Sequence, residues 1–200
     1  MPTDLVPLVF TSGWASGINP YLVVLLTGLA GRFTDLGIPD PLSRTDVLVV
    51  AAVLTVIDFV VDKTAYLDST WDVVNTAIRP TAGAALALMI SGDATTLQQA
   101  VMMSLGGGTA LASHLVKAGT RVAVNTSPEP VSNIVVSLLE DVTVFVVTLI
   151  ALVSPWVAAA IAALLLACGL VVVVIFWQAI TRYRRSRQRR RIEGKAPDEP

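Results

Sequence analysis

Glu140 and Asp141 lie near the middle of an otherwise apolar stretch, Val131 to Val153, long enough to cross a bilayer. An ionised side chain at that depth costs about 3 kcal/mol or more. Two adjacent carboxylates stay charged there only where water, a cation or a basic partner meets them. The pair demands a membrane-embedded chain with a polar site inside it.

Composition leaves little room for another fold. Of 200 residues, 54% are apolar and 14% charged, against about 25% charged in a soluble domain. A spanning helix needs about 20 residues, so the chain accommodates about six in one compact domain. Strands of a membrane barrel alternate apolar and polar positions, whereas these runs are apolar on most sides. The expected class is all-α, a polytopic helical membrane protein.

Apolar runs and breakers divide the chain into six candidate helices. The first runs from Leu5 to Arg32 and is interrupted at Ser16-Gly17-Ile18-Asn19-Pro20; the second is Asp46 to Val61. Arg79 or Pro80 opens the third, which ends near Ser91-Gly92, because proline suits a first helical turn. The fourth covers Leu97 to Lys117, the fifth Val131 to Val153 and the sixth Trp156 to Ile180. Residues 1–180 then form one transmembrane domain, and 181–200 a basic, disordered tail.

Charge sets the expected orientation. Eight of the 14 Lys and Arg residues follow Ile180, and a basic run directly after a span marks the cytoplasmic side rather than a nucleic-acid site. Six crossings put the N-terminus inside as well. The inner loops then carry Lys63, Arg79, Lys117 and Arg121, and the outer loops only Arg32 and Arg44. No basic region or small-residue cleavage site at the start marks a removable leader. Trp14, Trp71, Trp156 and Trp177 fall near segment ends, as an interfacial belt would place them. Cys168, the single cysteine, reads as a small core hydrophobe.

A weak internal echo relates Gly17–Arg32 to Gly106–Arg121, with Leu22 matching Leu111 and Leu26 matching Leu115. A helix carrying carboxylates follows each. Residues 5–92 and 97–180 would then be inverted three-helix repeats, an arrangement common in transporters; chance likeness between apolar helices accounts for the echo equally well.

Asn133, Ser137, Glu140, Asp141 and Thr148 fall within about a 100° arc of the fifth helix. Asp141 lies about 15 Å along it, near the bilayer midplane. This stripe is either an interhelical hydrogen-bond site or a place for a bound or translocated species, with Asp58 facing it. The break at Asn19 exposes backbone groups to such a species, or else turns an interfacial helix into a span.

Asp58 and Asp62 are one helical turn apart, as are Asp68 and Asp72. Four carboxylates suit a hard cation such as Mg²⁺; helix capping and pairing with Lys63 and Arg79 account for them as well. Lys63, Arg79, Lys117 and Arg121 form an expected basic rim for a headgroup, phosphate or carboxylate. His114, the only histidine, is a proton relay or a hydrogen-bonded interior side chain. Gly106-Gly107-Gly108 lacks the following Lys of a phosphate loop and suits close helix packing. No nucleophile elbow, zinc or dinucleotide signature is present.

Several spaced motifs share a pattern: Gly17-Ile18-Asn19-Pro20-Tyr21 with Gly28 and Arg32, Asp62-Lys63, Asp68-Ser69-Thr70-Trp71-Asp72, and Ile78-Arg79-Pro80-Thr81-Ala82-Gly83. His114, Lys117 and Arg121 continue it, then Asn125-Thr126-Ser127-Pro128-Glu129-Pro130, Ser132-Asn133 and Ser137 to Asp141. Over about residues 17–153 this resembles the bacterial membrane family catalogued as domain of unknown function 4126 (DUF4126). The resemblance implies a polytopic protein of the bacterial plasma membrane and names no activity. Asp58 stands where that family is expected to carry a longer glutamate.

The functional expectation is a small secondary transporter using Asp141 and Glu140, with no cofactor and no enzymatic activity. A non-catalytic scaffold or lipid-binding subunit is the alternative, and a metal-dependent headgroup enzyme built on Asp58, Asp62, Asp68 and Asp72 a third. Expected partners are the bilayer, anionic headgroups through the basic tail, and a second copy or membrane complex.

Overall fold

Every described element is helical. The computed structural model describes residues 4–64, 67–124 and 130–193, except for the side chains at 68, 69, 123, 124, 130–132 and 184–193. The helices are α1 (Leu5–Ser16), α2 (Pro20–Phe33), α3 (Thr45–Val61), α4 (Leu67–Ser91), α5 (Thr96–Val124), α6 (Pro130–Val153) and α7 (Pro155–Glu193), with a 3-10 turn at Asp40–Ser43. The all-α expectation holds.

The break in the first segment is a reversal, not an interruption. Asn19 caps α2 by accepting the Leu22 N–H at 3.0 Å, and Pro20 follows in its first turn, as a helix start favours. α1 runs parallel to α5: Gly13 lies against Gly106 and Thr109, and Gly17 against Ala110 and Ser113. α2 runs back along α3, with Gly28 on Leu48 and Arg32 donating to Thr45. The two form a re-entrant hairpin with its tip inside the bundle.

α4 and α5 are the antiparallel centre. A Cβ on Gly83 or Gly106 would strike the carbonyl oxygen of the other, so only glycine lets these backbones approach so closely. Thr95 and Gln98 cap the start of α5 reciprocally, each bonded to the other's backbone N–H. Trp14, Ile18 and Val23 of the hairpin meet Val144 and Val147 of α6 and Ala158 and Ala162 of α7 in the main apolar core.

Asp4, the 36–39 loop, Ile90 and Pro155 line one cavity and so mark one pole of the bundle. α7 leaves that pole parallel to α5, Gly169 on Val116 and Gly119 on Val173. The described start of the chain and the end of α7 therefore lie at opposite poles, where six full crossings would bring them together.

Among the described residues three helices are long and apolar enough to cross a membrane: Thr70–Ser91, Asn133–Val153 and Pro155–Tyr183. α3, with 17 residues, is about 25 Å long, at the short end of the spanning range. Val53, Val56, Leu139, Val142, Leu164, Val171 and Ile175 face outward, an apolar exterior that fits lipid rather than water. The protein is membrane-embedded in character.

Several boundaries differ from the expectation. α4 begins at Leu67 and carries Pro80 inside it, because Asp72, Asn75 and Arg79 of its first half find buried partners. α5 extends to Val124. α7 continues through the expected start of the tail to Glu193, its Arg-rich run being helix-compatible up to Gly194; 194–200 lie outside the described residues. Trp14 is core and Trp71 half-buried, while Trp156 and Trp177 are exposed. Cys168 faces outward, since α7 is apolar all round and its sequence marks no inner side. The echoed stretches differ too: Gly17–Arg32 is hairpin tip plus α2, Gly106–Arg121 uninterrupted α5.

Candidate functional site

The hairpin tip, the end of α3, the first half of α4, the second half of α5 and the middle of α6 converge on one set of ionised side chains. Asp58 Oδ1 accepts the Trp71 indole N–H at 2.6 Å and lies 3.6 Å from Arg79 Nη2. Arg79 Nη1 also holds Asp72 Oδ1 at 3.2 Å. One turn on from Asp58, Asp62 Oδ2 receives Lys117 Nζ at 2.5 Å and Arg121 Nη2 at 3.1 Å. The Asp62 carbonyl accepts from Arg121 Nη1 at 2.8 Å and Asn133 Nδ2 at 3.4 Å. Arg121 and Lys117 reach on to Glu140 Oε2, at 3.2 and 3.8 Å.

A second knot forms at the hairpin tip. Lys117 Nζ donates to the Ile18 carbonyl at 3.1 Å. Asn19 Nδ2 donates to Asp141 Oδ1 at 3.2 Å, and Asp141 Oδ2 accepts from Lys63 Nζ at 3.1 Å. Lys63 also reaches Ser137 Oγ at 3.2 Å and covers the Phe59 ring 3.2 Å from its centroid. Adjacent on α6, Glu140 and Asp141 thus serve different partners. Asp58, expected to face the Glu140–Asp141 pair, joins it in one network with Asp62 and Asp72, because Asp62 and Lys63 at the end of α3 reach α6.

His114 has a defined protonation. Its Nδ1 lies 2.9 Å from Arg79 Nη1, and a guanidinium only donates. Nδ1 therefore accepts, the ring is neutral, and Nε2–H donates to Thr76 Oγ1 at 2.9 Å. The Thr76 hydroxyl donates in turn to the Asp72 carbonyl at 2.8 Å. With its basic lone pair engaged, His114 is a fixed spacer for Arg79 rather than an open proton acceptor.

Among the described side chains, Asp58, Asp62, Asp72, Glu140 and Asp141 meet Lys63, Arg79, Lys117 and Arg121, one carboxylate in excess. Asp58 and Arg79 are 0% exposed. Asp58 Oδ2, Arg79 Nε and Asn75 Nδ2 are buried without a hydrogen-bond partner, polar capacity that a close-packed interior rarely leaves over.

The sequence candidates are thus brought together, but in other roles. Lys63, Arg79, Lys117 and Arg121 turn inward onto carboxylates instead of forming an open rim, since a buried cation needs a matching charge. Among the described residues no three Asp, Glu, His or Cys side chains converge as metal ligands: Asp58 and Asp72 flank Arg79, and Asp62 faces Lys117. The Asp68 side chain and 125–129 lie outside the described residues. Trp71, Asn75, Thr76 and Tyr21, whose hydroxyl donates to Asn75 Oδ1 at 3.2 Å, were not foreseen. Trp71, Asn75 and Arg79 recur at every fourth residue, a helical face that is legible once α4 is begun before Pro80.

A family sequence profile described as "Domain of unknown function (DUF4126)" matches residues 6–175. No curated protein and no solved structure matches the chain significantly.

Proposed function

The chain belongs to the DUF4126 family, and from that premise, which brings no activity with it, we propose a small secondary carrier whose moving part is the α1–α2 hairpin. The observation behind this reading is the Asn19–Asp141–Lys63 contact, where the hairpin tip rests on an ion pair at the centre of α6. A fold selected for stability alone has little use for so many buried ionised groups, since apolar replacements of such networks are often as stable or more so. In membranes such groups mark ion and proton pathways.

One carboxylate in excess among the described side chains favours uptake of a proton or cation over an anion. A proton arriving on Asp141 removes the charge that holds Lys63 and weakens the acceptor for Asn19. The tip then loses its anchor on α6, and the hairpin is free to shift against α5. The basic end of α7 faces the cytoplasm of a bacterial cell in this reading, next to anionic headgroups, and the hairpin opens to the outside.

Proteoliposomes with a trapped pH dye test this, challenged in turn with gradients of sodium, potassium and tetraethylammonium, beside protein-free vesicles. At least one gradient drives a pH change in wild type, and Asp141→Asn abolishes it in protein that still unfolds cooperatively. A wild-type protein that moves no proton against any of them ends the carrier reading.

One observation favours a scaffold instead: of the Pro155–Tyr183 span only Ala158 and Ala162 are buried within the chain, leaving the rest open to a partner or second copy. Asp141→Asn would then lower stability or complex yield with no effect on flux.

A further inference from the structure

At the pole opposite the basic end of α7, the hairpin helices, α6 and the 36–39 loop enclose a cavity of about 410 Å³, within the range of small-molecule sites. Leu5, Leu8 and Leu152 give it apolar walls, and Ser12, Thr27 and Thr148 contribute hydroxyls. Thr148 is 5% exposed and its Oγ1 has no hydrogen-bond partner, so a buried acceptor remains for a ligand. No Lys, Arg or His is among the lining residues, and exposed Asp4 stands among them. The same pole carries Asp35, Asp40, Asp46 and Asp93 against Arg32 and Arg44, and Arg44 is bonded to Asp46 at 2.7 Å.

We propose that this cavity binds a small organic cation, an ammonium group on a compact apolar body. The charge lies toward Asp4 and the Thr148 hydroxyl, and the body lies against the leucines. An anion finds no basic side chain among the described lining residues, and a bare alkali ion leaves most of the volume unfilled. Thr148 and Asp141 are seven residues apart on one face of α6, about 10 Å. Between them Val144, 0% exposed, packs with Trp14, Ile18 and Val23. Val144 is the apolar plug separating the cavity from the Asn19–Asp141 contact. Cation binding stands on the cavity itself; its description as an outer vestibule rests on the carrier reading.

Single cysteines at Thr148 and, separately, Ser12 in a Cys168→Ala chain test the site. The protein is reconstituted in vesicles and treated with membrane-impermeant methanethiosulfonates of either charge, with rates normalised to a small free thiol. Both positions react from the face opposite the α7 tail. The cationic reagent reacts several-fold faster at both positions, the direction in which a nearby carboxylate biases opposite unit charges. Asp4→Asn removes most of that bias, and tetraethylammonium slows the cationic reagent. Equal or faster anionic modification, reaction from the tail face only, or silence at both positions in protein that melts like wild type overturns the proposal. Labelling as expected without flux leaves the cavity and removes the carrier; flux with an unreactive cavity does the reverse.

Discussion

Asn19 and Asp141 stand 122 positions apart in sequence and meet at 3.2 Å. The Asn19 side chain serves both ends of that contact: its oxygen caps α2 through the Leu22 N–H, while its amide donates to the α6 carboxylate. The start of α2 and the centre of α6 are thus tied through one residue.

Two substitutions at Asn19 separate those roles. Asn19→Ser keeps a capping oxygen and loses the reach to Asp141; Asn19→Ala loses both. The cap contributes about 1 kcal/mol and the bond to a charged acceptor about 1.5–3 kcal/mol. Denaturant unfolding in mild detergent should rank wild type above Ser and Ser above Ala. Identical Ser and Ala variants would deny the cap its share, and a Ser variant matching wild type would deny the Asp141 contact.

Arg79→Met leaves Asp58 and Asp72 without their cation and should destabilise by about 3–5 kcal/mol. Adding Asp58→Asn removes one stranded charge while keeping an acceptor for Trp71, and should restore at least about 1 kcal/mol. Strictly additive losses in that cycle would mean that the 3.6 Å contact carries no coupling.

The neutral His114 ring with Nε2–H is directly observable by nitrogen NMR of histidine-labelled protein; a protonated Nδ1 would contradict the Arg79 contact. His114→Asn retains an acceptor near the Nδ1 position, whereas His114→Leu leaves Arg79 Nη1 one partner fewer. Leucine should therefore be about 1–3 kcal/mol less stable than asparagine.

Neighbouring glycines on α5 should respond with opposite signs. A methyl at Gly106 meets the Gly83 carbonyl and Ala87, so Gly106→Ala should cost about 1–3 kcal/mol by forcing α4 and α5 apart. Nothing lies within 4 Å of a methyl at Gly108, so Gly108→Ala should gain about 0.5–1 kcal/mol of helix propensity. Melting temperatures decide it.

Some of this was legible from residues alone. The ends of α3 and α6 were, because Asp62-Lys63 and Ser154-Pro155 stop apolar runs abruptly. The start of α4 was not: residues 67–79 are too polar to read as a span, and their helix is supported by Asp58, His114 and Tyr21 from elsewhere in the chain. The break at residues 16–20 was visible, but its reversal was not, since the path of α1 is set by its glycine contact with α5. Every carboxylate of the site is legible in the sequence. Its bases were expected in a rim, because spacing along a chain does not record which opposite charges will face each other across helices.

The hairpin also dictates an order of assembly. α1 and α2 are synthesised before α5 and α6, yet Asn19 must wait for Asp141, made 122 residues later. At 12 residues α1 is too short to span on its own, so its polar tip has no settled place until α5 and α6 exist to receive it. Closure between such distant segments is slow by its topology. The hairpin, made before α5 and α6, reaches its native position only after both.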